Sequence, residues 1–161
     1  VRTTTSPSFA TGVQDDVLVE FDKVIPSVTS LSPEKLLYFA KGVYTDNFEA
    51  DDAENLESLE AAAKALDTNV GSPNQGQLFI TNNPWNSVTA TQAPYTRRFA
   101  SAPVYGIGKH DEEHGCTKAG LGIQNRHGLT DDYHIGHFLD ILQRHLDGPK
   151  LMTRPFTSTF R

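Results

Sequence analysis

The first clear alternation of apolar and polar positions runs from Asp16 to Ile25. Val17, Val19 and Phe21 face one way there, and Leu18, Glu20 and Asp22 the other. A period of two predicts a half-buried strand, closed by Pro26. Ser32-Pro33-Glu34 then reads as a helix start, with the serine as cap, the proline at the first helical position and the glutamate at the positive end. Leu36, Leu37, Phe39, Ala40 and Val43 supply its apolar stripe. A second amphipathic helix is predicted across the acidic segment Asp46 to Asp67. Leu56, Leu59, Ala63 and Leu66 recur there at helical offsets behind Asp51, Asp52 and Glu54.

Gln77 to Thr81 (QLFIT) is a short strand candidate. The Thr-, Ala- and Pro-rich stretch from Ser87 to Tyr105 reads as extended segments, with its prolines suited to edge strands. Glycines at 106, 108, 115, 120, 122 and 128 predict mostly loop beyond it. A last helix begins at Thr130 as cap, with Asp131 and Asp132 in its first turn. It runs to Leu146 and stops at Asp147-Gly148-Pro149. The elements add up to an α+β fold: about three amphipathic helices with a small, mainly antiparallel sheet. Residues 1–14 form an extended N-terminal arm, 15–148 a single globular domain and 149–161 a C-terminal arm.

Charge and composition narrow the classes. A net charge of −6 over 161 residues argues against a general nucleic-acid binder or a protein drawn to anionic membranes. Cys116 is the only cysteine, so no intrachain disulfide forms. No run of eighteen apolar residues spans a membrane, and the Thr/Ser-rich start lacks the apolar core of an attached signal peptide. A soluble protein is expected.

Candidate chemistry is concentrated between Tyr105 and Asp147, which hold all six histidines and the cysteine. His110-Asp-Glu-Glu-His114-Gly-Cys116 offers three ligand types within seven residues. HDEEH also satisfies the inverted zinc-hydrolase pattern His-x-x-Glu-His, with Glu113 as general base, but that chemistry needs a helix. On the last helix His134 and His137, three apart, suit one metal ion, whereas His145 lies about 16 Å further along the axis. A composite site of His110, His114, Cys116, His134 and His137 would hold zinc or another transition metal. The plainer reading makes these histidines interface residues that hydrogen-bond backbone carbonyls, with no cofactor.

Two functions follow. The first is a structural assembly subunit of virion or filament type, a homo-oligomer that polymerises through its terminal arms. Both arms are too poor in apolar side chains to order alone, and other copies of the chain are the simplest tether. Phe9, Phe156 and Phe160 are the arm anchors. The alternative is a metal-dependent enzyme built on the histidine and cysteine cluster of residues 110–137. The assembly subunit is the preferred reading, and on it the chain is not an enzyme.

Overall fold

The computed structural model describes residues 7–42, 48–65, 76–90, 92 and 99–147. Its centre is a five-stranded mixed sheet of order β4-β3-β5-β6-β7, accompanied by a two-stranded sheet β1-β2 and two helices. The strands are β1 (Thr11–Gln14), β2 (Val17–Glu20), β3 (Val24–Leu31), β4 (Leu37–Lys41), β5 (Gly76–Asn82), β6 (Val104–Glu113) and β7 (Cys116–Gln124). The helices are α1 (Phe48–Ala65) and α2 (Asp132–Asp147). β5 runs parallel to both β3 and β6, and the outer pairs β3–β4 and β6–β7 are antiparallel.

This architecture replaces the expected three helices and small antiparallel sheet. The helix foreseen after Ser32 is absent. Ser32 to Leu36 instead form a hairpin loop, in which Lys35 takes a left-handed φ of 62° and the Ser32 N–H donates to the Leu36 carbonyl at 2.9 Å. Beyond it Tyr38 and Ala40 are buried and their neighbours are not, a period of two that belongs to a strand. Pro26 does not end a strand; it lies inside β3. Its carbonyl accepts from the Gly42 N–H just past the end of β4, so its missing donor faces the side where the pairing stops.

The glycine-rich stretch is also a hairpin, not a loop. Gly108 and Gly120 lie under Val88, where a Cβ would come within 2.7 Å and 2.2 Å of its backbone. These glycines admit a crossing segment, as glycines in strands often do. His114 and Gly115, at φ of 52° and 76°, make the two-residue turn between β6 and β7. The acidic segment is helical as expected, but the face turned inward is Asn55, Ser58, Leu59, Ala62 and Ala63, and Leu56 is half exposed. Ser58 donates to the Lys41 carbonyl at 2.8 Å, which ties α1 to β4.

One face of the sheet carries the core. Leu78 and Tyr105, with Val24, Ile80, Leu121 and Ile123 beside them, pack under Phe138 and Leu142 of α2. The third party is Phe9, in the 3-10 turn Pro7–Ala10. Expected as an anchor on a neighbouring copy, it is 2% exposed within its own chain. Its ring lies 5.2 Å from that of Phe138 and 6.4 Å from Tyr105, and Tyr105 is 5.3 Å from Phe138. The Phe21 N–H donates to the Ala10 carbonyl and the Val13 N–H to Ser101 Oγ, so residues 9–13 are held from several sides. Phe156 and Phe160 lie outside the described residues. Among the described residues, no helix is long and apolar enough to cross a membrane.

Phe9→Ala is expected to destabilise the fold by about 3–5 kcal/mol, the usual cost of emptying a buried aromatic site, measured by denaturant unfolding. Loss of self-association with unfolding unchanged would show that Phe9 serves a neighbour instead. Tyr105 contributes a buried hydroxyl without a hydrogen-bond partner among the described residues, and burial pushes its phenol well above the usual value. Tyr105→Phe should therefore leave stability unchanged or raise it by about 1 kcal/mol. A clear loss would mean that the hydroxyl is bonded.

Candidate functional site

The chain leaves β7 at Gln124 and enters α2 at Asp132, and the seven residues between them form a tight loop. The Arg126 carbonyl accepts the N–H groups of both Leu129 and Thr130, at 2.9 and 3.2 Å. Asp131 is the cap: its Oδ1 accepts the His134 N–H at 3.1 Å, and its carbonyl accepts the Ile135 N–H at 3.1 Å. Thr130, expected to cap the helix, sits one position earlier, 5% exposed, with no partner for its hydroxyl among the described residues. His134 closes the arrangement with a ring Nδ1 that is 2.5 Å from Asp131 Oδ1. The His134 backbone N–H, then its ring, hold the Asp131 carboxyl below the usual carboxylate range.

A cleft of about 540 Å³ opens against this loop, lined by Ile123, Gln124, Asn125, His127, Thr130, Asp131, Asp132 and Ile135, and across from them Ala90 and Gln92. His127 is the only histidine on its wall, and it is exposed. The Asn125 side-chain amide is shut away from solvent without a hydrogen-bond partner among the described residues. The site thus combines one accessible imidazole, the carboxylates of Asp131 and Asp132 four and five residues further on, and a set of neutral polar groups. Such a set moves protons and holds polar ligands.

The residues singled out from sequence fall elsewhere. His110 and Glu113 are on β6, His114 is in its turn and Cys116 opens β7; all four are exposed. The strand setting removes the helix that the His-x-x-Glu-His chemistry requires. Glu113 is engaged by Lys118 Nζ at 2.5 Å. His134 is committed to Asp131, and His137 stacks on Tyr133 with ring centroids 6.3 Å apart and planes 8° from parallel. Cys116 is separated from the α2 end of its strand by about 27 Å of extended chain, so the composite site does not assemble. Among the described residues, no group of three or more His, Cys, Asp or Glu side chains is placed to hold a metal ion.

His127 was not among those candidates. Its signal was positional: a histidine in a short strand-to-helix loop, four residues before the aspartate that caps the helix. Loops braced by a rigid scaffold are where reactive side chains concentrate.

Comparison with known proteins gives this placement a context. The chain is 32% identical over 76 residues to a Proteus mirabilis chloramphenicol acetyltransferase, and 28% identical over 152 residues to one from Klebsiella sp. Those matches cover 45% and 88% of this chain, and the chain spans only 34% and 65% of the two relatives. A solved chloramphenicol acetyltransferase superposes with a TM-score of 0.69 at 14% identity, covering 88% of this chain and 70% of its own. A dihydrolipoamide acetyltransferase from Azotobacter vinelandii follows at 0.62 and 14%, covering 91% and 63%. Its study concerns the role of a serine, a histidine and an asparagine in the catalytic mechanism. The cubic core of a pyruvate dehydrogenase multienzyme complex matches at 0.59 and 15%, covering 88% and 62%. These likenesses overturn the virion or filament subunit and give no support to the metal-dependent enzyme. The chloramphenicol acetyltransferase family model matches residues 3–143, and the chain belongs to that family.

Proposed function

We propose that the protein is an acyltransferase that moves an acetyl group from a thioester to a hydroxyl, with His127 as the general base. The observation that carries the reading is the location of His127. In a chain of the chloramphenicol acetyltransferase family, it is the histidine on the wall of the cleft at the β7–α2 junction. The Azotobacter vinelandii enzyme supports it, since the histidine and asparagine studied there stand four positions apart, the spacing of His127 and Asp131.

The chemistry is short. The His127 imidazole takes the proton of the acceptor hydroxyl as that oxygen forms its bond to the thioester carbonyl carbon. Negative charge gathers on the carbonyl oxygen of the tetrahedral intermediate, where a hydrogen-bond donor on the wall lowers the barrier. The carbon–sulfur bond then breaks, and the thiolate leaves with the proton returned by the imidazolium. The products are an acetyl ester and a free thiol. Acetyl-CoA is the donor used by chloramphenicol acetyltransferases, and chloramphenicol is the acceptor that their name supplies. Thr130 is the only hydroxyl side chain on the described wall.

Self-association belongs to the same proposal, because one neighbour in fold is the cubic core of a multienzyme complex. Phe9, one of the expected arm anchors, is committed to its own core.

With acetyl-CoA and chloramphenicol as probes, His127→Ala is expected to reduce thiol release by about 10²–10⁴-fold, the usual share of a positioned base. Its unfolding curve should match the wild type, since His127 is exposed. Undiminished thiol release in His127→Ala, or its loss in His110→Ala or His114→Ala instead, would overturn the assignment.

A further inference from the structure

We infer that His134 is a positioning residue for this site, acting through Asp131; the inference rests on the acyltransferase reading. The Asp131 carboxylate stands on the cleft wall with His127, yet its bonds point along the helix. Oδ1 takes the His134 backbone N–H at 3.1 Å, as any capping aspartate would. It also lies 2.5 Å from His134 Nδ1, which an ordinary cap does not require. The Asp131 N–H comes within 3.4 Å of the same ring nitrogen. Nδ1 has one role at a time, and the shorter contact decides it: the nitrogen carries a proton and donates to the carboxylate. The ring is itself held edge-on to Tyr133, centroids 5.7 Å apart and planes at 81°.

The consequence lies upstream. Residues 125 to 131 are pinned at one end by β7 and within by the two N–H groups on the Arg126 carbonyl. Their other end is held at Asp131, whose carbonyl accepts the Ile135 N–H and whose carboxylate accepts the His134 N–H. A cap held through the backbone alone lets the carboxylate swing, and His127, four residues before it, moves with the loop. The imidazole of His134 removes that freedom without touching the reacting atoms. Because catalysis by a positioned base falls steeply with misplacement, by about 10²-fold for an error near 1 Å, a second anchor on the cap is worth a histidine there.

Nδ1 is the ring atom that meets Asp131, which yields a discriminating pair of variants. The Asn side-chain NH₂ reaches the position of Nδ1, so His134→Asn keeps the donor, whereas His134→Leu keeps a helix former and removes it. In acetyl transfer from acetyl-CoA to chloramphenicol, His134→Leu should lower kcat about 10- to 100-fold with KM changed less. His134→Asn should recover most of that loss. NMR of the His127 ring in the full chain, without substrates, supplies the readout independent of activity. His134→Leu should broaden the His127 ring resonances and move the midpoint of their pH titration, and His134→Asn should restore both. If the wild type transfers no acetyl group but the His127 resonances respond this way, the acyltransferase reading fails and the positioning role stands. If His134→Leu leaves the His127 ring signals unchanged, or if His134→Asn and His134→Leu behave alike, the positioning role is refuted.

Discussion

Three aromatic rings hold the described structure together. Phe9 comes from the first turn of the described chain, Tyr105 from the centre of the sheet and Phe138 from the middle of α2. Each lies within 6.4 Å of the other two. Aromatic side chains bury large areas at low entropic cost, and tilted pairs add to that burial. The contact matters beyond its energy because it fixes α2 on the sheet. The loop that carries His127 is the only link between β7 and α2, so seating the helix sets the cleft. The turn Pro7–Ala10 is therefore part of the scaffold beneath the site.

Polar groups then refine what the rings place. Asp131 is tied to His134, while Asn125 and Thr130 keep buried polar atoms without partners among the described residues. Unpartnered groups of this kind cost stability, and native proteins keep them where a site needs them. The hairpin tip from Lys109 to Lys118 shows the opposite pattern. Its exposed charges pair with one another, Lys109 with Asp111 along β6 at 2.6 Å and Lys118 of β7 with Glu113 of β6 at 2.5 Å, where such pairs contribute little.

Much of the helical part was legible in the sequence. α2 announced itself through Ile135, Phe138 and Leu142 at helical spacing and a clear stop at Asp147-Gly148-Pro149, and α1 through its acidic start. β5 was visible as a compact apolar run. β4 was not, because Leu36, Leu37, Phe39 and Ala40 fit a helical stripe as well as a strand. What decides between them is the neighbour β3 and the left-handed turn at Lys35, and both are tertiary facts. β6 and β7 were hidden by glycines that look like loop residues until Val88 is seen crossing them. The histidines misled through density, since the crowded run His110–Cys116 occupies an exposed hairpin, and the one histidine on the cleft wall had no striking neighbours in sequence. Counting ligand types cannot find it; a histidine poised between a strand and a capped helix can be found.

The claim on which the account turns is that the cleft beside His127 is where substrate sits. Brief carbethoxylation of the six histidines with diethyl pyrocarbonate, read by peptide mass spectrometry with and without saturating chloramphenicol, tests it directly. The account predicts that chloramphenicol protects His127 and leaves His110 and His114 as reactive as before. Equal modification of His127 in both conditions, with protection appearing at the β6–β7 hairpin, would contradict it.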